Sequence, residues 1–425
     1  MPKLLLAAAA EQRQMESLNA RAGKLDFDGV DEELGLHLLD LHWNRQHHAY
    51  LTTYRPAFMR DMACGGLYFS KILLNAIYYG ASKFSDRLEL RKDPSDVRTA
   101  GWRFRNRVRD LLGQALDHSA ITTIQALLQM SSSLFALGDE QSAAWVYAGT
   151  AFRMIFDLGL HVDPTMLPNF SRLSDEDVEI RRRVYWAAFV VDKMQSLYQG
   201  RPASLRAADS QVSIKFLDTY EELEHWLPYA YTTETRYTGS AGYSVSTFTE
   251  LCKLCVILND ILDKMYCEGR TARPVNELME DLDNLETRLQ CWQSELPEHL
   301  QLDPKSEIRT ANIPPPHVLS LLYVSGYSSS YGPLNMTNVS QLHVECPSNT
   351  PTPSIRFRGP PTPSLPFSSG LVVCRMRRSC YQYCQARAAV RSCLLDTQST
   401  ISRILRDIRS CYHIRTHCGC SRSCL

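Results

Sequence analysis

Apolar residues recur every three or four positions through most of the chain up to about residue 325. One such stripe runs from Ile121 to Phe135, and a second runs from Ala144 to Leu158. This spacing places apolar side chains on one face of an α-helix, which then packs against a neighbouring helix. Because Gly138-Asp139 separates the two stripes, we expect two antiparallel helices joined by a short turn.

The clearest helix signal in the chain begins at Ser174. Ser174 is a good N-cap residue, and Asp177 stands three positions later, as in a capping box. The eight residues Val184–Val191 are all apolar, which predicts a helix that is buried on every side. Gly200 suits the left-handed residue that ends a helix, and Pro202 prevents its continuation.

The remaining periodic segments complete an all-α prediction, an irregular multi-helix domain. Apolar stripes predict further helices at Thr247–Tyr266 and Pro274–Gln293. The segment Asp209–Tyr243 is rich in Tyr, Thr and Glu without a clear period, so we expect an irregular loop on the surface. At the start, Leu4–Ala10 is apolar but continues into good helix formers, which favours an amphipathic helix over a secretory signal. No apolar run reaches the ~18 residues that suggest a membrane-spanning helix.

Charge and cysteine content divide the chain at about residue 345. Lys and Arg total 46, as do Asp and Glu, but residues 346–425 hold twelve Arg, no Lys and two acids. The same 80 residues contain nine of the 14 cysteines and a Ser/Thr/Pro run at 347–366. We expect a disordered or poorly packed tail, with a composition typical of a coding sequence read in the wrong frame. The competing interpretation is a native basic tail that binds nucleic acid electrostatically.

Motifs that carry catalysis are almost absent. The chain has no phosphate loop, no G-x-S-x-G and no H-E-x-x-H. Asn259-Asp260 near Glu268 faintly resembles a magnesium-binding cluster of helical isoprenoid cyclases, but no D-D-x-x-D occurs. We therefore do not expect an enzyme.

Candidate metal ligands also have simpler interpretations. Cys252 and Cys255 lie inside a leucine-rich helix without a second cysteine pair nearby, so we expect two core thiols rather than half of a zinc site. Four histidines are close in sequence, but their spacing does not bring them to one helical face. We expect them at the surface or at an interface: His37, His42, His47 and His48.

Asp192 follows directly on the apolar run of the third helix. A buried carboxylate is costly unless it has a cation or several hydrogen-bond donors. The candidate cations are Arg201, just past the helix end, and Arg153 on the preceding helix. We expect a structural ion pair here rather than a ligand-binding or catalytic site.

Two motifs resemble the middle regulatory domain of fungal zinc-cluster transcription factors. The first is Ala148–His161, which ends in Asp-Leu-Gly-Leu-His, and the second joins Arg182-Arg-Val-Tyr-Trp to Gly200-Arg-Pro. Leu38–Phe58 is similar to the opening helix and loop of that family, and the resemblance covers roughly residues 30–325. The positions that carry over as a structural signature are Arg153, Gly159, His161, Arg182, Tyr185, Trp186, Phe189, Asp192, Gly200, Arg201 and Pro202.

The resemblance implies a non-enzymatic, all-α regulatory domain of a nuclear transcription regulator at 30–325, between an N-terminal helix or linker at 1–29 and the tail at 326–425. It implies no cofactor in this chain, because zinc belongs to a six-cysteine DNA-binding module that does not occur before Cys64. Either the module was lost, or the gene model starts late, or another subunit supplies it. The implied partners are a second subunit in a homo- or heterodimer, DNA through the missing module, and a small-molecule inducer, but no membrane. The alternative is a helical scaffold without a transcriptional role.

Overall fold

The computed structural model describes residues 2–137, 140–163, 173–227, 239–265 and 275–301, together with Pro315, His317, Val318 and Leu321. The predicted tail at 326–425 and Glu268 lie outside these residues. Within them the chain forms twelve α-helices: α1 (Pro2–Arg21), α2 (Glu32–Arg45), α3 (His47–Tyr50), α4 (Arg55–Cys64), α5 (Lys71–Ala81), α6 (Trp102–Ala115), α7 (Ile121–Leu137), α8 (Gln141–Asp157), α9 (Asp175–Gln199), α10 (Tyr220–Leu223), α11 (Ser244–Met265) and α12 (Val275–Ser294). The predicted all-α fold is confirmed.

The strands in the described residues are two short ones. β1 (His225–Trp226) pairs antiparallel with β2 (Ser240–Ala241), with His225 opposite Ala241 and Trp226 opposite Ser240. None of the described helices is both long enough and apolar enough to cross a membrane.

The apolar side chains form two clusters, and α7 contributes to both. The N-terminal cluster joins α2, α4, α5 and α6, and all residues from Ile72 to Ala81 of α5 are buried in or around it. The C-terminal cluster joins α8, α9, α11 and α12. α7 contributes Met130 and Leu134 to the first cluster and Leu127 and Leu128 to the second. This central position explains why α7 has few exposed side chains.

Local signals set the ends of the helices around α9. The Ser174 hydroxyl accepts a hydrogen bond from the Asp177 N–H, and the Asp177 carboxylate accepts one from the Ser174 N–H, so the predicted capping box is confirmed. Gly200 ends α9 with φ +64°, and Gly159 follows α8 with φ +62°. Both values lie in the left-handed region that glycine adopts without the clash of a Cβ atom.

The described part of 209–243 is largely irregular, as predicted, but the expected surface position was wrong for several of its residues. Residues 203–223, which we call the bridging segment, run along α9 and include α10. Phe216, Asp218 and Glu221 of this segment are buried. The charged members lack helical or strand periodicity because they meet Arg183 of α9.

α1 confirms the expected N-terminal helix. It packs against α4 and α10. Glu16 lies 2.8 Å from Arg55 at the start of α4, and Arg13 pairs with Glu224 just after α10.

Candidate functional site

Buried charges stand at both ends of the apolar run of α9. Arg183 precedes the run, and Asp192 and Lys193 follow it, and none of the three has exposed surface (0%). A charged group in this position is tolerated only when it is paired and hydrogen-bonded. The partners of these three side chains therefore define the candidate site.

The first ionic network surrounds Arg183. Its Nε donates to Glu179 Oε1 at 2.6 Å, one helical turn earlier. Its Nη1 donates to Glu221 Oε2 at 3.1 Å, and its Nη2 donates to the Asp218 carbonyl at 3.2 Å. The second oxygen of Glu179 accepts the Leu217 N–H at 2.6 Å. One guanidinium thus joins α9 to two points of the bridging segment.

The network continues from Glu221 into α3. His47 Nε2 lies 3.0 Å from Glu221 Oε1. Burial alone would raise the pKa of Glu221, but His47 and Arg183 hold the pKa of that carboxyl well below its usual range. Glu221 is therefore the residue that links α10, α9 and α3.

Histidines surround this junction. His48 Nδ1 lies 2.6 Å from the Ser244 hydroxyl, and the His48 and His317 rings are 5.0 Å apart. Burial lowers the pKa of His42 to about 3 and that of His317 to about 4. The expectation of surface histidines was wrong for His42 and His47, which are buried because α2 and α3 pack into the interior. Among the described residues no group of His, Cys, Asp and Glu is arranged to hold a metal ion.

The second ionic network surrounds Asp192. Asp192 accepts hydrogen bonds from Lys193 Nζ at 2.9 Å and from the Ser204 and Leu205 N–H groups at 3.0 and 2.9 Å. Lys193 Nζ also donates to the Leu205 carbonyl and lies 4.5 Å from the Phe189 ring centre. The structural ion pair was expected, and it is present.

The prediction that Arg153 or Arg201 pairs with Asp192 was wrong. Arg153 is exposed on α8. The Arg201 guanidinium lies over the Trp145 ring at 5.0 Å. The chain turns after Gly200 so that backbone N–H groups and the adjacent lysine reach the carboxylate.

Two further arginines and a tryptophan attach α9 to its surroundings. Arg181 donates to the Leu158 carbonyl at 3.0 Å, where a cation favourably meets the C-terminus of α8. Arg182 donates to the Lys215 carbonyl at 3.1 Å. Trp186 is buried, as its place in the apolar run predicts, and its Nε1 donates to the Ser213 carbonyl at 3.2 Å. The bridging segment is thus held along most of its length.

The other signature positions have the following surroundings. The His161 carbonyl accepts the Ser210 hydroxyl at 3.1 Å and the Gln211 N–H at 3.2 Å. Tyr185 and Phe189 are buried in the C-terminal cluster, whereas Pro202 is exposed.

Sequence reasoning missed Glu179, Lys193, Asp218 and Glu221. The spacing of four between Glu179 and Arg183 is a helical ion-pair signal and could have identified that pair. Glu221 is 38 residues from Arg183 and 174 from His47, and no local pattern links residues at such separations. Cys252 and Cys255 are buried free thiols, as expected.

The arrangement connects α9 to backbone and side chains of other segments. Each described buried cation of α9 is bonded to a carboxylate, a carbonyl or both. What the two networks do is hold the bridging segment against α9 and α3.

Comparison with known proteins connects this architecture to a family. The sequence profile described as "Fungal specific transcription factor domain" matches residues 39–294, more than half of the 425-residue chain. No solved structure matches.

Named relatives are transcription regulators. The chain is 30% identical over 277 residues to the nitrogen assimilation transcription factor nirA of Emericella nidulans, covering 64% of this chain and 31% of that protein. It is 31% identical over 285 residues to nit-4 of Neurospora crassa, another nitrogen assimilation transcription factor, covering 63% and 25%. An uncharacterized transcriptional regulatory protein of Schizosaccharomyces pombe is 30% identical over 304 residues, covering 70% and 46%.

These matches span less than half the length of each of the three relatives. The relatives are named as transcription factors or transcriptional regulators, which agrees with the description of the profile. The profile covers α9, α10 and both ionic networks. The chain therefore belongs to the fungal specific transcription factor domain family.

Proposed function

We propose that this chain is the regulatory domain of a nuclear transcription regulator and that it catalyses no reaction. The observation that carries the proposal is the family match at 39–294, which contains both ionic networks. Relatives that match across this region are named transcription factors. The domain boundaries at about 30 and 325 remain predictions.

The regulatory element in this proposal is the bridging segment. A shift of α10 away from α9 removes Glu221 from Arg183 and from His47 at once. Arg183 would keep Glu179 but lose its second buried carboxylate, and Glu221 would lose both partners, so partial displacement is disfavoured. In this proposal the segment has two states, docked and released, and a signal acts by favouring one of them.

DNA contact belongs, in this proposal, to a zinc-cluster module or to a partner subunit. The domain works as a homo- or heterodimer and responds to a small molecule or a protein. The nucleus is its site of action. These features rest on family membership and on the names of the relatives.

A reporter experiment tests the proposal. Residues 1–425 are fused to a heterologous DNA-binding module, and a reporter that carries the operator of that module is measured in a fungal host. We expect a change in expression of several-fold relative to the module alone. The Arg183→Met fusion should lose this effect, and an exposed-site control, Arg109→Gln, should keep it.

The alternative function, a helical scaffold without a transcriptional role, predicts a different result. The fusion would then be nuclear, equal in abundance to the control and no different from the module alone. That outcome would contradict the proposed function.

A further inference from the structure

α11 and α12 form an antiparallel pair that is joined by ion pairs at one end. Lys264 lies 2.8 Å from Asp281, and Arg288 lies 2.5 Å from Asp260. Asp260 precedes Lys264 on α11, but its partner Arg288 follows Asp281 on α12. The two helices therefore run in opposite directions. The same order brings the level of Lys253 on α11 to that of Glu295, which directly follows α12.

A cleft of about 310 Å³ lies between the helices beyond the last of these ion pairs. Its apolar lining comes from Val256 and Ile257 of α11, from Trp292 of α12 and from Ile214 of the bridging segment. On each helix the lining positions follow helical spacing, so one face of each helix is turned to the cleft. This volume is at the lower end of the range of ligand sites, so it suits a small molecule.

A cation stands at each end of the apolar lining. Lys253 and Arg288 both line the cleft, and the Lys253 and Asp260 levels of α11 are about 10 Å apart at the usual rise per residue. Arg288 Nη1 donates a hydrogen bond to the Asp260 carboxylate, and the Arg288 side chain remains 37% exposed. The Lys253 side chain pairs with Glu250 and remains 50% exposed. Arginine has five N–H donors, so its guanidinium still presents donors to solvent.

We propose that this cleft binds a small organic carboxylate with an aromatic or aliphatic body. The Arg288 guanidinium takes the carboxylate, because its planar fork matches that group. The apolar side chains between the two cations take the body of the molecule. Glu295 lines the Lys253 end and disfavours a second negative charge there, so the ligand is a monocarboxylate.

The position of the cleft connects it with the α9 networks. Ile214 lies between Ser213, whose carbonyl accepts the Trp186 indole N–H, and Lys215, whose carbonyl accepts Arg182. α11 itself packs against α9. A molecule in the cleft therefore contacts the bridging segment directly. An effect of the bound molecule on transcription rests on the proposed function, whereas the binding itself does not.

Cysteine protection tests the binding directly. Cys291 lines the cleft and is exposed, and Cys64 at the end of α4 is an exposed free cysteine away from it. The full chain is alkylated with iodoacetamide, and the rate at each cysteine is followed by peptide mass spectrometry. The probes are 3-phenylpropionate and its neutral amide, 3-phenylpropanamide.

We expect 3-phenylpropionate to slow Cys291 alkylation about tenfold when its concentration is about ten times its Kd, by mass action. Cys64 should react at an unchanged rate, and the amide should give little protection. The Arg288→Gln variant, which should stay folded with at most a slight loss of stability, should lose the protection by the acid.

Three results would overturn the proposal. An unchanged Cys291 rate at all soluble concentrations excludes the site, and equal protection by the amide excludes a carboxylate ligand. An equal decrease in the alkylation rate of Cys64 would show that the effect comes from non-specific binding. Protection at Cys291 together with a silent reporter would refute the transcriptional role and leave the site intact, so the two failures are distinguishable.

Discussion

α5 and α9 are both buried on nearly every side, but they are buried by different chemistry. In α5 the residues Ile72–Ala81 are all buried, and Asn75 is their one non-aromatic polar side chain. Asn75 donates to the Lys71 carbonyl within the same helix and to the Asp28 carboxylate. In α9 the buried residues include Arg183, which pairs with Glu179 of the same helix and also with Glu221 and the Asp218 carbonyl of the bridging segment.

This contrast separates two ways of securing a central helix. Contacts of the buried face of α5 are mainly apolar, and their contribution follows the area removed from water. α9 depends on carboxylates and carbonyls that the bridging segment must supply. A helix held in this way loses much stability when one partner moves, which suits an element that changes state in response to a signal.

Replacement of Arg183 should give the largest effect. Arg183→Met leaves Glu179 and Glu221 buried without their cation, and we expect a loss of about 3–5 kcal/mol in the free energy of unfolding. The triple variant Arg183→Met, Glu179→Leu, Glu221→Gln should lose less, because it also removes the uncompensated charges. Urea denaturation measures both. A triple variant less stable than the single one would show that the remaining contacts of Glu179 and Glu221, with the Leu217 N–H and His47, outweigh the cost of burying their charges.

Acid should weaken the histidine side of the network. The pKa of His42 is lowered to about 3 in the folded chain, against about 6.5 unfolded. The unfolded chain therefore binds the proton first, and stability falls as pH drops below the unfolded pKa. For one such histidine, the free energy of unfolding should fall by about 2 kcal/mol between neutral pH and about pH 5.

The matched control is His42→Asn. The variant shares every other titrating group, including the neighbouring His47, so the difference between the two pH profiles isolates His42. Urea midpoints at the two pH values should differ less in the variant. Parallel profiles would contradict a neutral, buried His42.

Removal of the N-cap residues should affect the two helices alike. Ser174 caps α9 and Ser70 caps α5, and each hydroxyl accepts one backbone N–H of the first turn. We expect each change to Ala to cost about 1 kcal/mol, because capping is local and independent of how the rest of the helix is buried. Thermal unfolding of both variants checks this, and a several-fold larger loss at Ser174 would show that the cap is coupled to the ionic networks.

An exposed ion pair should give the smallest effect. The side chains of Arg288 and Asp260 remain 37% and 31% exposed, and such pairs are usually worth about 0–1 kcal/mol. Arg288→Gln should therefore shift the urea midpoint slightly. A loss comparable with that of Arg183→Met would remove the distinction between buried and exposed arginines.

The sequence predicted most of the helical framework. The three-to-four spacing located α7 and α8, and the capping box and Gly200 located both ends of α9. These signals are local, because they reflect which face a helix buries and how its first and last turns are satisfied.

The identity of ionic partners was beyond local patterns. The need of Asp192 for donors was predictable from its position after an apolar run, but Lys193 and the backbone of Ser204 and Leu205 meet that need. Glu221 lies in a segment without periodicity, so its burial follows only from the path of the chain across α9.

Amide hydrogen exchange of the Arg183→Met variant tests most directly whether charges hold α9 and the bridging segment in place. We predict that in the variant the amides of α9 and of Leu205 and Leu217 exchange faster than those of α5, whereas in the wild type the two helices are similarly protected. Unchanged protection of α9, or an equal loss in α5 and α9, would contradict this account.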